Sequence, residues 1–74
     1  MIYVHLATGF EEVEALTVVD VLRRASLDVK TVSLTREKEV TGRSGITVMA
    51  DQWIGDTDYS AGKMIVLPGG QPGA

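Results

Sequence analysis

The 74-residue sequence contains no cysteine and only one histidine, His5. Without cysteine the chain can form neither a disulfide bond nor a thiolate metal site, and it offers no thiol nucleophile of its own. A single histidine cannot build a metal site either. We therefore expect these residues to bind no metal ion and no cofactor.

Long apolar runs and clusters of positive charge are also missing. No apolar segment approaches the ~20 residues of a membrane span, and the start, MIYVHLATG, lacks the basic flank and cleavage site of a signal peptide. The net charge is −3, and the seven lysines and arginines are scattered apart from Arg23 and Arg24. That distribution leaves no basic stripe for a nucleic-acid backbone. These absences predict a cytoplasmic protein that binds neither nucleic acid nor membranes.

Hydrophobic residues, by contrast, make up 45% of the chain. A domain this short hides only roughly 60% of the surface of its unfolded chain, so this content suits one part of a larger core. The last residues, PGGQPGA, are typical of a connection between elements. We expect residues 1–74 to be the amino-terminal portion of a single domain that a companion polypeptide completes.

The first half of the chain has the pattern of a strand, a helix and a second strand. Residues 2–7 (IYVHLA) predict a buried central strand. A helix is predicted from Gly9 to about Ala25, with Thr8 and Glu11 as a capping box. Residues 27–34 alternate as a strand should, after a connection too long for a hairpin. The pattern therefore predicts a right-handed βαβ unit with parallel strands.

The remaining segments predict an excursion and one more strand. Residues 35–45 are polar, and residues 46–50 are a strand that can complete a hairpin-like excursion. Residues 51–62 are predicted to be irregular. Residues 63–70 (KMIVLPGG) predict a buried strand that opens into a glycine loop. The fold class expected is α/β with a mainly parallel sheet.

Two loops, ATGFEE and LPGGQPG, follow predicted parallel strands. The carboxyl ends of such strands gather the functional loops of an open α/β sheet, so neighbouring strands would place both loops at one crevice. The first loop does not suit phosphate, because it supplies one glycine where the dinucleotide fingerprint needs three. Its carboxylates would also repel an anion.

Glu14 heads a helical stripe that is predicted to face the sheet. The stripe consists of Glu14, Val18, Val21 and Ala25. On that stripe the Glu14 carboxylate would be partly desolvated at the crevice and able to keep or share a proton. The alternative is a glutamate at the stripe edge that reaches solvent, and the spacing alone leaves both open. Glu11 and Glu12 are interpreted as complements of the helix dipole.

The paired glycines Gly69 and Gly70 also allow two interpretations. They permit a turn with positive φ, or they bring bare backbone N–H groups to the crevice, as an oxyanion hole requires. His5 is interpreted as a satisfied histidine, either in the core or on a sheet face.

Together, ATGFEEVEALTVVDVLRRA and the distant VLPGG resemble the amino-terminal part of the ThiJ/PfpI superfamily. They are most similar to its branch containing the Parkinson-disease deglycase and its bacterial relatives. The similarity runs through all 74 residues in the right order and covers less than half of a typical family chain. It implies a flavodoxin-like α/β sandwich, usually a homodimer, with a nucleophilic cysteine in the later half.

The resemblance also implies roles for individual residues. Glu14 matches the helix glutamate that hydrogen-bonds the cysteine. Gly70 matches the loop glycine whose N–H faces the oxyanion, and Gly69 supports that loop. Relatives often carry a Ser-Arg pair where this chain has Arg43-Ser44, and we predict a substrate-binding role for Arg43.

The activity that the resemblance implies is a cysteine-dependent hydrolase or lyase, glyoxalase- or deglycase-like, acting on small reactive carbonyl compounds. The alternative is an oxidative-stress sensor or chaperone-like dimer without significant turnover. A receiver-like or flavin-binding module ranks last, because ATGFEE offers neither phosphoacceptor aspartates nor a flavin loop.

Overall fold

A computed structural model describes residues 1–60, 62 and 64–69, which form a parallel sheet, one helix and a small hairpin. In chain order the elements are β1 Ile2–Leu6, α1 Glu12–Arg24, β2 Val29–Ser33, β3 Glu39–Thr41, β4 Thr47–Met49, β5 Gln52–Trp53, a 3₁₀ turn Ile54–Asp56, and β6 Met64–Val66. The main sheet has the order β5-β2-β1-β6, and each neighbouring pair is parallel. This confirms the predicted α/β class.

β1 is the central strand, as its apolar sequence predicts. It pairs with β2 on one side and with β6 on the other, so that Ile2 stands opposite both Val29 and Met64. β6 differs from the prediction of a buried strand, since Met64 is 56% exposed. The reason is its position, because within the described residues β6 pairs with β1 alone and forms an edge of the sheet.

The helix begins three residues later than predicted. Gly9 has a φ of 88°, in the left-handed region, so the chain cannot enter a helix there. Glu11 is the N-cap, and its side chain accepts a hydrogen bond from the N–H of Val13. The predicted capping box between Thr8 and Glu11 is therefore wrong.

The stripe predicted to face the sheet is also wrong. Glu14 and Ala25 are exposed, and Val21 is 56% exposed. The buried residues of α1 are Glu12, Ala15 and Val19. The helix carries apolar residues around much of its circumference, so that more than one face satisfied helical spacing. Packing against the sheet selected the face that contains the small residue Ala15.

The core lies between the main sheet and α1, with the hairpin closing one side. Its buried residues are Val4, Leu6, Phe10, Ala15, Val19, Val29, Val40 and Ala50. β3 and β4 pair antiparallel, with Val40 opposite Val48, which confirms the hairpin-like excursion. The segment predicted to be irregular contains β5, whose two residues pair with Val32 and Ser33 of β2.

Asp51 fastens the end of the hairpin to the main sheet. Its Oδ2 accepts hydrogen bonds from the N–H of Thr31 at 2.9 Å and from Nη2 of Arg23 at 2.8 Å. Burial raises the pKa of Asp51, but the bonds from Thr31 and the charge of Arg23 outweigh burial and hold that pKa below its usual value. This contact joins the end of α1 to β2. In the part of the chain described, no helix has the length and apolar character needed to cross a membrane.

Candidate functional site

The loop between β1 and α1 lies beside the segment that follows β6. Both begin at the carboxyl ends of parallel neighbours in the sheet, where α/β folds place their ligand sites. The N–H of Glu11 donates to the carbonyl oxygen of Gly69 at 2.8 Å. The structure thus brings the first loop together with Gly69, in the described part of the second loop, as the sequence predicted.

Glu14 and Gly69 form a direct hydrogen bond, although 55 positions separate them in the sequence. The N–H of Gly69 donates to Oε1 of Glu14 at 2.7 Å. A Cβ atom at position 69 would stand 3.0 Å from that oxygen, so glycine permits the close approach. Glu14 is exposed, as expected of a glutamate at the stripe edge that reaches solvent, and a proton shared with the cysteine remains a prediction.

Gly70, the predicted oxyanion donor, lies outside the described residues. Its role remains a prediction.

Arg43 lies on the other side of the β1–α1 loop. Its Nη1 is 3.5 Å from Oε2 of Glu11, and its N–H donates to the carbonyl oxygen of Phe10 at 2.8 Å. The other oxygen of Glu11 accepts the N–H of Val13 at 3.1 Å. Glu11 therefore joins Arg43 to the first turn of α1, and a substrate contact by Arg43 remains a prediction.

Glu12 is the buried carboxylate of this region, with 3% of its surface exposed. The N–H of Ser44 donates to both of its oxygens, at 3.1 and 2.9 Å, and the N–H of Ile46 donates to Oε2 at 3.1 Å. Burial alone would raise the pKa of Glu12, but these backbone donors and its own N–H outweigh burial and lower that pKa. The interpretation of Glu12 as only a complement of the helix dipole is thus incomplete.

The sequence gives one signal for the surroundings of Glu12, which is Gly42. A Cβ atom at position 42 would overlap the Glu12 carboxyl group. A glycine in a predicted turn has other common explanations, so this signal alone does not identify its partner.

We expect the stabilising contribution of Glu12 to be lost in acid. Because the folded pKa lies below the ordinary value of 4.5, its stabilising effect is complete above that pH and is lost as the pH falls through the folded pKa. Glu12→Gln should lower the melting temperature by about 5 °C at neutral pH, and the difference from the unchanged protein should vanish in acid.

Thermal melting of a complete domain that contains residues 1–74, across this pH range, checks the effect, with Glu39→Gln on the exposed side of β3 as the control. An equal difference between Glu12→Gln and the unchanged protein at every pH would contradict it.

A histidine and two tyrosines lie on the sheet face opposite α1. Nε2 of His5 is 2.8 Å from the hydroxyl of Tyr59, and the rings of Tyr3 and Tyr59 meet edge to face at 4.7 Å. The hydroxyl of Tyr3 donates to the carbonyl oxygen of Asp58 at 2.9 Å. Burial lowers the pKa of His5. These contacts confirm the interpretation of His5 as a satisfied histidine on a sheet face.

An apolar cavity of about 140 Å³ adjoins His5 at the carboxyl end of the sheet. Its lining residues are His5, Ala7, Phe10, Leu34, Leu67 and Pro68. Within residues 1–60, 62 and 64–69, no group of three or more histidine, aspartate or glutamate side chains is placed to hold a metal ion.

The parallel sheet, the helix on one face and the crevice at the strand ends define the amino-terminal portion of a flavodoxin-like α/β fold. A helix glutamate bonded to a Pro-Gly loop is the distinguishing feature of its crevice. The chain belongs to the DJ-1/PfpI family, whose sequence model matches residues 1–74. This confirms the resemblance to the ThiJ/PfpI superfamily and its DJ-1 branch.

Relatives of known sequence and structure agree with this assignment. Protein DJ-1 homolog B of Arabidopsis thaliana is 37% identical over 73 residues, which are 99% of this chain and 17% of that protein. The structure of oxidized Toxoplasma gondii DJ-1 matches with a TM-score of 0.85 and 33% identity, over 96% of this chain and 39% of that one. A cysteine-to-alanine mutant of a DJ-1 superfamily protein from Salmonella typhimurium matches with a TM-score of 0.82 and 35% identity, over 93% and 37%. The chain thus spans well under half of the length of these relatives.

Proposed function

We propose that residues 1–74 are the amino-terminal part of a cysteine-dependent enzyme domain that acts on small reactive carbonyl compounds, as a glyoxalase, deglycase or hydrolase. The observation that carries this proposal is the 2.7 Å bond between Glu14 and the N–H of Gly69. It joins the two motifs of the chain at the strand ends where this fold places its chemistry. The nucleophilic cysteine belongs to residues outside this chain, which has none.

In the proposed reaction the cysteine thiolate attacks the carbonyl carbon of the substrate, and the carbonyl oxygen takes the negative charge. The carboxylic acid of Glu14 donates a hydrogen bond to the sulfur, which favours the thiolate, and then gives its proton to the oxyanion. As a carboxylate it transfers the proton of the attacked carbon to the neighbouring carbonyl carbon, which gives a thioester. Water then cleaves the C–S bond and releases a hydroxy acid and the thiol. Gly69 holds Oε1 of Glu14, which leaves Oε2 for the sulfur. Because the N–H of Gly69 is already engaged, we assign the oxyanion to the N–H of Gly70.

Arg43 is proposed to bind the substrate through its guanidinium group. Its side chain is partly exposed and is held by Glu11 at 3.5 Å, beside the loop that leads to Glu14. A guanidinium group there can pair with an oxygen of the substrate or of an acidic product.

The function can be tested in a chimeric protein in which residues 1–74 replace the matching segment of the Salmonella typhimurium relative. The TM-score of 0.82 supports this exchange. We expect the chimera to consume methylglyoxal, and a version with the cysteine changed to alanine not to do so. A folded chimera with a reactive thiol that consumed no more methylglyoxal than the alanine version would refute the enzyme proposal.

The second candidate is an oxidative-stress sensor or chaperone-like dimer. The observation that favours it is that the solved structure of the Toxoplasma gondii relative is of the oxidized protein. A sensor requires a thiolate that peroxide converts to sulfenic and sulfinic acid, and it requires no turnover. Mass spectrometry of the chimera after peroxide treatment, beside the methylglyoxal assay, separates the two functions.

We also propose that a companion polypeptide covers β6 and the sheet face opposite α1. Leu67 is 72% exposed, and Ile65 is more than half exposed, although both follow the apolar pattern of a buried strand. The apolar cavity beside His5 lies at the carboxyl end of the sheet and is lined in part by Leu67. A buried parallel strand needs cover on both faces and a partner along each edge, and the described residues supply only part of that cover.

The exposed face of α1 is proposed to join two copies of the completed protein. Val13 is 74% exposed, and Asp20 and Arg24 beside it form an i, i+4 ion pair at 3.0 Å. Together with the exposed Ile46 of the neighbouring turn, Val13 makes an apolar patch that suits a protein interface better than solvent.

We therefore expect the chimera to have a dimer mass in light scattering at micromolar concentration. Val13→Lys should shift it toward the monomer, because the charge would be buried at the interface. Leu27→Lys, at another exposed apolar position, serves as the matched control. A monomer mass for the unchanged chimera would contradict the homodimer.

A further inference from the structure

The buried Glu12 carboxylate closes the turn of the hairpin onto the first turn of α1. We name this contact, between the carboxylate and the N–H groups of Ser44 and Ile46, the Glu12 clamp. A carboxylate that accepts several backbone N–H groups away from water forms hydrogen bonds stronger than those between neutral groups. The clamp therefore holds residues 42–46 firmly against α1.

Backbone hydrogen bonds also join the hairpin turn to the loop between β1 and α1. The N–H of Gly9 donates to the carbonyl oxygen of Thr41 at 2.9 Å, and the N–H of Arg43 donates to that of Phe10 at 2.8 Å. Together with the Glu12 clamp, these bonds fix the path of the backbone through residues 9–12.

On its other side the loop is bonded to Gly69. The N–H of Glu11 donates to the carbonyl oxygen of Gly69 at 2.8 Å, and the N–H of Gly69 donates to Oε1 of Glu14 at 2.7 Å. The position of Gly69 thus depends on where the backbone of Glu11 lies, and Glu11 is adjacent to the clamped residue.

We propose that Glu12 is a positioning residue, which holds the hairpin turn and, through Glu11, sets the direction of the Gly69 N–H toward Glu14. It acts through other residues and does not touch the substrate. Its importance for catalysis rests on the proposed function, whereas the positioning itself can be observed without turnover.

The turn is shaped to receive the carboxylate. Gly42 is buried, and a Cβ atom there would overlap the Glu12 carboxyl group. Gly45, in contrast, has open space around it and a φ of 85°. Glycine is needed there for the backbone conformation of the turn and not for close packing. Gly42 therefore offers a second way to disturb the clamp, with the carboxylate and both N–H donors retained.

The test is a comparison of backbone amide signals by NMR in the ¹⁵N-labelled chimera. Glu12→Gln replaces one acceptor oxygen by an NH₂ group that faces the Ser44 N–H, and Gly42→Ala displaces the carboxylate by steric overlap. We expect each variant to move the Gly69 amide signal and to speed its hydrogen exchange about tenfold. Glu39→Gln should leave it unchanged.

Movement of the Ser44 and Ile46 signals shows that the clamp has been disturbed. If these signals move while Gly69 keeps its chemical shift and its exchange rate, the proposal is overturned. Should Glu12→Gln fail to fold, the milder Gly42→Ala decides.

The kcat and KM of the clamp variants show whether the positioning of Gly69 matters for catalysis. Misdirection of the Gly69 N–H should lower kcat for methylglyoxal. A rise in KM would report displacement of Arg43, which lies in the clamped turn. A chimera without any turnover would refute the proposed function and leave the NMR result valid.

Discussion

Glu14→Gln lowers the turnover of methylglyoxal by ~100- to 10,000-fold in the chimera if Glu14 is the acid and base of the reaction. The carboxamide keeps an oxygen that can accept the N–H of Gly69, which is 2.7 Å from Oε1. The loop should therefore stay in place while the titrating acid is lost. The protein should remain folded, because Glu14 is exposed and contributes to the crevice end of α1 alone.

Glu14→Asp keeps the carboxylic acid and tests whether the length of the side chain matters. The side chain is shorter by one methylene, so its carboxyl group moves away from Gly69 and from the sulfur. We expect a loss of turnover in the same range, together with a weaker preference of the cysteine for its thiolate form. The two variants thus separate the need for an acid from the need for its position.

The measurements are thiol alkylation as a function of pH and methylglyoxal consumption, both on the chimera. Glu39→Gln, on the exposed part of the hairpin, is the distant control. The thiol titration and the methylglyoxal turnover of both Glu14 variants could equal those of the unchanged chimera. Glu14 would then only complement the helix dipole and hold Gly69. The enzyme proposal would then lose its side-chain support in this chain.

The isolated 74-residue chain is expected to show no cooperative unfolding transition as a monomer, whereas the chimera should melt cooperatively. The described residues leave Met64, Ile65 and Leu67 of the β6 region largely exposed, although the strand has a buried type of sequence. Small domains are marginally stable even with their apolar residues covered. An uncovered edge strand also invites association with other chains.

Circular dichroism during heating, with light scattering to record association, compares the chain with the chimera. Ile65→Lys sharpens the comparison, because the proposed cover would bury the lysine in the chimera and lower its melting temperature by roughly 10 °C or more. In the isolated chain the same change should have little effect. A cooperative, monomeric transition of the isolated chain would refute the requirement for a companion polypeptide.

Helix α1 shows where prediction from the sequence succeeded and where it failed. Its existence between the first two strands was predicted from the sequence, although its start lies three residues later than predicted. The buried face did not follow, because apolar residues such as Val13 and Val21 occur on several sides of the helix. The choice among these faces depends on how the helix packs on β1 and β2.

The candidate site shows the same division. The sequence led to Glu14 and Gly69 through two separate motifs, and the structure shows their side chain and backbone in contact. It did not lead to the buried role of Glu12, whose partners Ser44 and Ile46 lie 32 and 34 positions away. Local spacing contains no information about a partner on a different hairpin.

The sequence by itself determined the order of strands and helix, the α/β class and the family, because apolar runs, turn residues and paired motifs are local patterns. Only the tertiary structure decided the face that α1 buries, the Glu11 cap, the short strand β5 and the Glu12 clamp. The strand β5 and the Glu12 clamp depend on distant backbone groups, and the buried face depends on packing against the sheet. The N–H of Gly9 is bonded to Thr41, and β5 exists because two residues meet the edge of β2. A buried carboxylate or a two-residue strand is stable only where folding brings its hydrogen-bond partners to it.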